Sequence, residues 1–180
     1  MNRNPIDMVL ELTHYGQDIL RKKASRVGEI SEDHHELIEN MFETMYQADG
    51  IGLAANQVGV DLAIATIDIT PLDEDVDPFV IINPEIIEEE GTEVMEEGCL
   101  SIPGVRETVK RPNRLVVQYM NRAGEMVERE AEDMLARVIQ HETDHLNGTF
   151  FVDRLSPLKR RMINRQLETI AREGFPSEEE

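Results

Sequence analysis

The sequence predicts an α+β fold of mostly antiparallel sheets packed around a central helix at 134–146, with a further helix at the C-terminus. Three observations predict it. Helical and strand-like stretches are segregated along the chain. Successive strand candidates are joined by short turns. Three helical segments against roughly six strands leave the helix at 134–146 as the natural centre.

The elements follow in order. Residues 1–30 read as an extended arm, with turns at His14-Tyr15-Gly16 and Val27-Gly28-Glu29. Residues 32–48 read as a helix capped by Ser31, because Leu37, Ile38, Met41, Phe42, Met45 and Tyr46 recur at steps of three and four. Residues 49–61 carry three glycines, which break the helical pattern and predict a turn. Leu62 to Ile69 is rich in β-branched residues and predicts a strand, and 71–78 is an acidic loop. Phe79–Ile82 and Glu85–Ile87 flank Asn83-Pro84, a strand with a break. Arg114–Asn121 alternates and turns through Asn121-Arg122-Ala123-Gly124 into Glu125–Ala131. The helix at 134–146 ends at Asn147-Gly148. The last helix starts at Ser156-Pro157, shows an apolar stripe of Leu158, Met162, Ile163, Leu167 and Ile170, and stops at Gly174 and Pro176. With no internal repeat and no long linker, residues 1–174 are expected to form one domain and 175–180 a disordered acidic tail.

Composition narrows the function. The chain has 180 residues, with 37 Asp plus Glu against 18 Lys plus Arg, a net charge of −19. Such a surface repels phosphate backbones and anionic membranes. Aromatics are 4% and Trp is absent, which leaves no stacking platform for single strands. No direct nucleic acid partner is expected. One cysteine, Cys99, allows no intramolecular disulfide and fits a reducing compartment. The N-terminal stretch lacks a signal-peptide apolar run, and no window nears 18 uninterrupted apolar residues. A cytoplasmic protein that does not enter membranes is expected.

Three segments carry chemistry. In His141-Glu142-Thr143-Asp144-His145 the two histidines lie four apart on one helical face and can aim both imidazoles at one metal ion. Glu142 is rotated by ~100° and can flank the ion and hold a water without ligating. Leu135, Val138, Ile139 and Leu146 mark part of this helix as buried. A catalytic site wants a third protein ligand and an open position. Cys99, in Glu97-Gly98-Cys99-Leu100-Ser101, is the candidate; a buried small hydrophobe and a nucleophile are its other readings. Thiolate ligation also explains the histidine spacing, which nucleophilic attack does not. The N–H of Leu100 could then serve as an oxyanion donor. The third segment, Gly50-Ile51-Gly52-Leu53-Ala54-Ala55-Asn56-Gln57, lacks the Gly-Lys-Ser/Thr ending of a phosphate loop. Its small residues imply close backbone approach, and the Gln57 amide could polarise a carbonyl; alone, it would read as a structural turn.

Together, GIGLAANQ, EGCLS and QHETDH resemble the three motifs of peptide deformylase, in the family's order and at similar separations. The resemblance runs from about His14 to the helix after Ser156 and looks like the ordinary bacterial class. It implies that Cys99, His141 and His145 ligate the metal, that Glu142 is the general acid/base, and that Gln57 and the Leu100 N–H stabilise the oxyanion. It implies Ile51 and Gly52 as substrate-binding, and Arg106 near the substrate's C-terminal side. The implied ion is Fe2+ in the cell, with Zn2+, Ni2+ or Co2+ as substitutes; imidazole and thiolate accept all of these. The implied partner is the N-formylmethionyl nascent peptide near the ribosome exit, and the implied reaction is hydrolytic loss of its formyl group as formate. Thr143 stands where the family places a bulkier apolar residue, and Asn56 where the family varies.

A peptidase cleaving internal bonds has no third histidine or downstream glutamate pattern here. A closed structural metal site lacks a fourth ligand, since His14, His34 and His35 lie outside the motifs. A deformylase-like enzyme with another acyl-amide substrate stays open.

The surface makes a prediction. The chain has 14 Arg against 4 Lys, with acidic runs at 73–77, 88–90 and 178–180. Self-repulsion opposes compaction, and the Debye length shrinks from ~10 Å at 0.1 M to ~3 Å at 1 M salt. The melting temperature should rise between about 0.05 and 1 M KCl; a flat or falling value in calorimetry counts against this reading.

Overall fold

In the computed structural model, which describes residues 8–175, seven strands and three α-helices among the described residues build the α+β architecture. The first helix, α1 (Glu32–Gln47), is capped by Ser31, whose backbone N–H donates to His34 Nδ1 at 3.0 Å. The strands are β1 (Gly52–Ala54), β2 (Ile64–Ile67), β3 (Phe79–Glu90), β4 (Glu93–Cys99), β5 (Ile102–Arg111), β6 (Arg114–Met120) and β7 (Met126–Glu132). Then come α2 (Asp133–Leu146) and α3 (Pro157–Glu173).

The main sheet has the order β1-β2-β3-β6-β7, antiparallel throughout. Both faces of its β1–β3 half are covered. Ala65, Ile67 and Ile81 point towards α2, where they meet Leu135, Ala136 and Ile139. Ile64, Val80 and Ile82 point the other way, onto Ile38, Met41 and Met45 of α1. This two-sided burial explains why the strand over 62–69 reads as a near-continuous apolar run. A third apolar cluster joins β5 to α3 through Val109, Phe150, Phe151, Ile163 and Leu167.

β4 and β5 leave the main sheet as a separate two-stranded hairpin between β3 and β6. Its tip holds Cys99, paired with Ile102 after a register shift beyond Glu97. α2 runs through the middle of the molecule, with eleven of its residues buried.

Several expectations change. The arm before α1 contains a 3-10 turn, Asp18–Arg21, that buries Leu20; residues 1–7 of that arm lie outside the described residues. The turn over 49–61 contains the short strand β1 and a 3-10 turn, Ala55–Val58. No alternation marks 93–111, yet both strands of the hairpin lie there. Burial on β5 alternates from Val105 to Arg111, but the residue types hide it, because the charged Glu107 and Arg111 stand at inward positions. The break at Asn83-Pro84 is a bulge inside one continuous strand. Asn83 adopts φ 51° and bonds the Val27 backbone twice, accepting from its N–H at 2.9 Å and donating to its carbonyl at 2.8 Å. On α3 only Ile163, Leu167 and Ile170 are buried; Leu158 and Met162 are 69% and 72% exposed, because one residue's step rotates a side chain by ~100° off the buried face. Phe175, expected in the tail, sets its ring edge-on to His14; 176–180 lie outside the described residues.

Candidate metal centre

α2 presents His141 and His145 one turn apart, and the hairpin tip brings Cys99 to them. His145 Nε2 lies 3.2 Å from Cys99 Sγ and 3.1 Å from His141 Nε2. The three ligand atoms all lie within 4.8 Å of one another. Three electron-pair donors so close repel unless a proton or cation sits among them. Two nitrogens and one sulfur form a donor set that suits a borderline divalent ion. The residues therefore fit the metal that their types and spacing imply.

Glu97 orients the set. Its Oε1 accepts from Arg111 Nε at 2.5 Å and Arg137 Nη1 at 2.7 Å, and its Oε2 accepts from Arg111 Nη2 at 2.9 Å. Burial pushes the Glu97 carboxyl up, but the hydrogen bonds from His141 and Arg111 outweigh it and hold the group well below the usual carboxylate range. Glu97 is thus an anion that only accepts. His141 Nδ1, 3.0 Å from Glu97 Oε2, must then carry the proton, which turns Nε2 towards Cys99 and His145. Burial opposes the His141 cation, yet hydrogen bonds to Cys99 and Glu97 push its pKa up to about 10. Burial and the neighbouring His141 drive His145 the other way, well below the ordinary histidine value. A neutral imidazole is the ligating form.

Glu142 is almost fully buried, and its Oε2 has no partner among the described residues. Burial, opposed by His141 and Arg111, pushes its carboxyl up to about 7, the range a proton shuttle needs at neutral pH. Gly52 makes room for it: a Cβ there would stand 2.9 Å from Glu142 Cδ. Gln57 is fixed end for end. Its Oε1 accepts from the Ala54 N–H at 3.0 Å, so its Nε2 faces Ser101 Oγ at 3.1 Å and Cys99 Sγ at 3.6 Å.

A cavity of about 560 Å³ opens over these groups. Ile51, Gly52, Gln57, Cys99, Leu100, Arg106, His141 and Glu142 all line it, so the structure brings eight of the nine sequence-derived site residues to one space. His145, the ninth, is buried and reaches the cluster without lining the cavity. Arg106 is exposed and bonds Glu96 Oε1 at 2.7 Å across the hairpin.

The match extends beyond the site. The family model of polypeptide deformylase matches residues 9–161. The chain belongs to the polypeptide deformylase family. It is 45% identical over 161 residues to the peptide deformylase of Thermodesulfovibrio yellowstonii, covering 89% of this chain and 98% of that one. It is 48% identical over 170 residues to that of Salinibacter ruber, covering 89% and 87%. Among solved structures, the peptide deformylase of Legionella pneumophila is similar at TM-score 0.84 and 43% identity, over 92% of this chain and 96% of that chain. That of Synechococcus elongatus, in complex with actinonin, is similar at 0.81 and 41%, over 96% and 93%.

Sequence reasoning missed the groups that hold this deformylase site in place. Asp144, inside the histidine motif, turns away from the cavity and accepts from Arg111 Nη1 at 2.8 Å and Arg154 Nε at 2.6 Å. Arg111 and Arg137 are 1% and 4% exposed, an unusual depth that a sequence read for exposed cations does not reveal. The one signal was Glu97 inside EGCLS, two residues before the candidate ligand. Thr143 is buried, and its Oγ1 has no partner among the described residues.

Gly52→Ala tests the close approach. The added methyl must displace the Glu142 carboxylate, so turnover should fall at least tenfold while bound metal, measured by atomic absorption, stays near one ion per chain. Unchanged turnover would show that Glu142 does not need its position against Gly52.

Proposed function

We propose that this chain is a hydrolase that removes the formyl group from the N-terminal formyl-methionine of new polypeptides, releasing formate and a free amine. The observation that supports it best is the meeting of Cys99, His141 and His145 beside the buried Glu142, in a chain of the deformylase family. The reading treats residues 1–174 as one catalytic domain, working in the cytoplasm near the ribosome exit in N-terminal processing during protein biosynthesis. It involves neither a membrane nor direct nucleic acid binding.

Cys99, His141 and His145 would hold the ion, Fe2+ in the cell, with Zn2+, Ni2+ or Co2+ able to replace it on the same N and S donors. A divalent ion there supplies Lewis-acid chemistry that makes water nucleophilic near neutral pH. Glu142 takes the proton of the attacking water and delivers it to the leaving amine. Gln57 Nε2 and the Leu100 N–H face the negative charge that develops on the formyl oxygen. Ile51 and Gly52 align the substrate backbone, and Arg106 lies towards its C-terminal side.

The deciding experiment is formate release from formyl-Met-Ala-Ser, with and without chelator. The acetylated analogue should be scarcely cleaved. The walls are tight: Cβ atoms on Gly50 and Gly98 would stand 2.9 Å from Leu100 Cδ1 and 3.1 Å from Arg106 Nη1. Equal rates on both peptides would sink the proposal.

Glu142→Gln should keep the ion and lose turnover by roughly 10²–10⁴-fold, because an amide cannot accept the water proton. Cys99→Ala should weaken metal retention instead. The opposite pattern would reverse the assigned roles.

The ion and a proton compete at His141. Against burial, hydrogen bonds to Cys99 and Glu97 raise its pKa, so uptake of the ion at neutral pH displaces a proton. Ni2+ affinity should rise by about tenfold per pH unit between about pH 6 and 8. Titration in weak buffer that shows no proton release would contradict ligation by Cys99 and His141 together, since both shed a proton to bind.

A further inference from the structure

We infer that Tyr46 and Asp68 are positioning residues, which clamp both ends of the loop leading into β1 and so fix the wall that aligns the substrate backbone. The inference rests on the deformylase reading above, in which Ile51 and Gly52 do the aligning. Neither Tyr46 nor Asp68 belongs to the three motifs, and neither lines the cavity over the metal centre. Tyr46 lies in the last turn of α1, and Asp68, only 7% exposed, follows directly on β2.

Two bonds of Asp68 reach the two ends of the loop. Its Oδ2 accepts from the Tyr46 hydroxyl at 2.7 Å, and its backbone N–H donates to the Ile51 carbonyl at 3.0 Å. Between these ends the chain turns sharply. The Asp49 N–H donates to the Tyr46 carbonyl at 3.1 Å, the Gly50 N–H donates to the Met45 carbonyl at 2.9 Å, and Asp49 adopts φ 54°. Ala48, Asp49, Gly50, Ile51 and Gly52 all line the cavity. β1 is an edge strand of the main sheet, paired there with β2 alone. In an antiparallel pair, successive residues turn their backbone groups alternately towards the partner and away from it. Ile51 points its carbonyl at Asp68, so Gly52 turns its N–H and C=O to the open edge. A shift of the loop therefore moves the groups that a peptide would meet.

The chemistry of the clamp is unusual. Burying a carboxylate is costly, and Asp68 is held by neutral donors among the described residues. Besides Tyr46 on Oδ2, its Oδ1 accepts from the Thr70 N–H at 2.9 Å and the Thr70 hydroxyl at 2.7 Å. Burial pushes the Asp68 carboxyl up, but the hydrogen bonds from Thr70 and Tyr46 outweigh it and hold the group below the usual carboxylate range. The charge makes each of these bonds stronger than one between neutral groups. Burial and the bond to Asp68 push the Tyr46 hydroxyl up, so it stays a donor. Its ring stacks on Phe42 at 6.0 Å between centroids, which fixes where the hydroxyl points. Thr70 supplies a comparison within the same cluster. It bonds the same carboxylate, yet it lies outside the loop between Tyr46 and Ile51.

The test uses the Ni2+-loaded full chain and formyl-Met-Ala-Ser. Tyr46→Phe keeps the ring and removes only the hydroxyl. It should raise KM about fivefold with kcat within about twofold of the parent, and it should speed amide hydrogen exchange across residues 48–52. Thr70→Val strips a hydroxyl bond from the same carboxylate. It should lower the melting temperature by a similar amount, with KM and exchange across 48–52 unchanged. A role in stability alone would make the two variants behave alike. Asp68→Ala leaves the backbone N–H in place and should raise KM about as much as Tyr46→Phe does. Adding Tyr46→Phe to it should change KM by less than about twofold, because the bond is already gone. An unchanged KM in Tyr46→Phe, equal rises in Tyr46→Phe and Thr70→Val, or independent effects of Tyr46→Phe and Asp68→Ala overturns the inference. No formate from the parent chain overturns the deformylase reading beneath it instead.

Discussion

The buried carboxylate of Glu97 is the interaction on which the rest of the site depends. It is 6% exposed and bonded by Arg111, Arg137 and His141, so one group joins the β4–β5 hairpin to α2. Arg111 then passes the connection to Asp144, and Asp144 to Arg154 at the entry to α3. A buried ion pair need not add net stability over an apolar contact of the same size, but losing one partner costs about 3–5 kcal/mol because the other charge is left stranded. That asymmetry makes the network a register device. The hairpin cannot slide along α2 without stranding a charge, and Cys99, two residues beyond Glu97, is thereby kept opposite the histidines.

The network also settles protonation. Glu97 as a fixed acceptor chooses the His141 tautomer, and the choice leaves Nε2 for the cavity side. Burial then treats neighbouring groups in opposite ways. It disfavours the charged forms of both Glu142 and His145. The outcome is a carboxyl poised near neutrality beside a neutral imidazole, within a chain whose outer surface is strongly anionic. The interior of the site is balanced by arginines drawn inside, while the excess acid remains outside, where water and salt screen it.

Close backbone approach is the second constraint. β1 passes so near α2 that only glycine fits at position 52, and Gln57 follows on the turn directly after that strand. Two elements far apart in sequence therefore share one wall of the cavity. Asn56 adds a tie of its own, donating to the His145 carbonyl at 2.6 Å and so linking the Gln57 turn to the last turn of α2.

Local pattern determined a good deal. The three helices, the acidic loop, the turn at Asn121-Gly124 and the histidine pair at i, i+4 were all legible, because each depends on spacing within about a dozen residues. Eight of the nine residues that the three motifs named line one cavity, and His145 reaches the cluster without lining it. Tertiary structure alone decided the rest. The hairpin over 93–111 alternates in burial but not in residue type, since Glu97 and Arg111 take inward positions where a sequence reading looks for apolar side chains. Leu158 and Met162 looked like core and are exposed, since periodicity marks an apolar stripe but not which part of it finds a partner. Arg111, Arg137 and Asp144 carry no sequence signal of burial and are buried, because charges enter an interior only in company, and their partners lie ten to forty residues away in the chain.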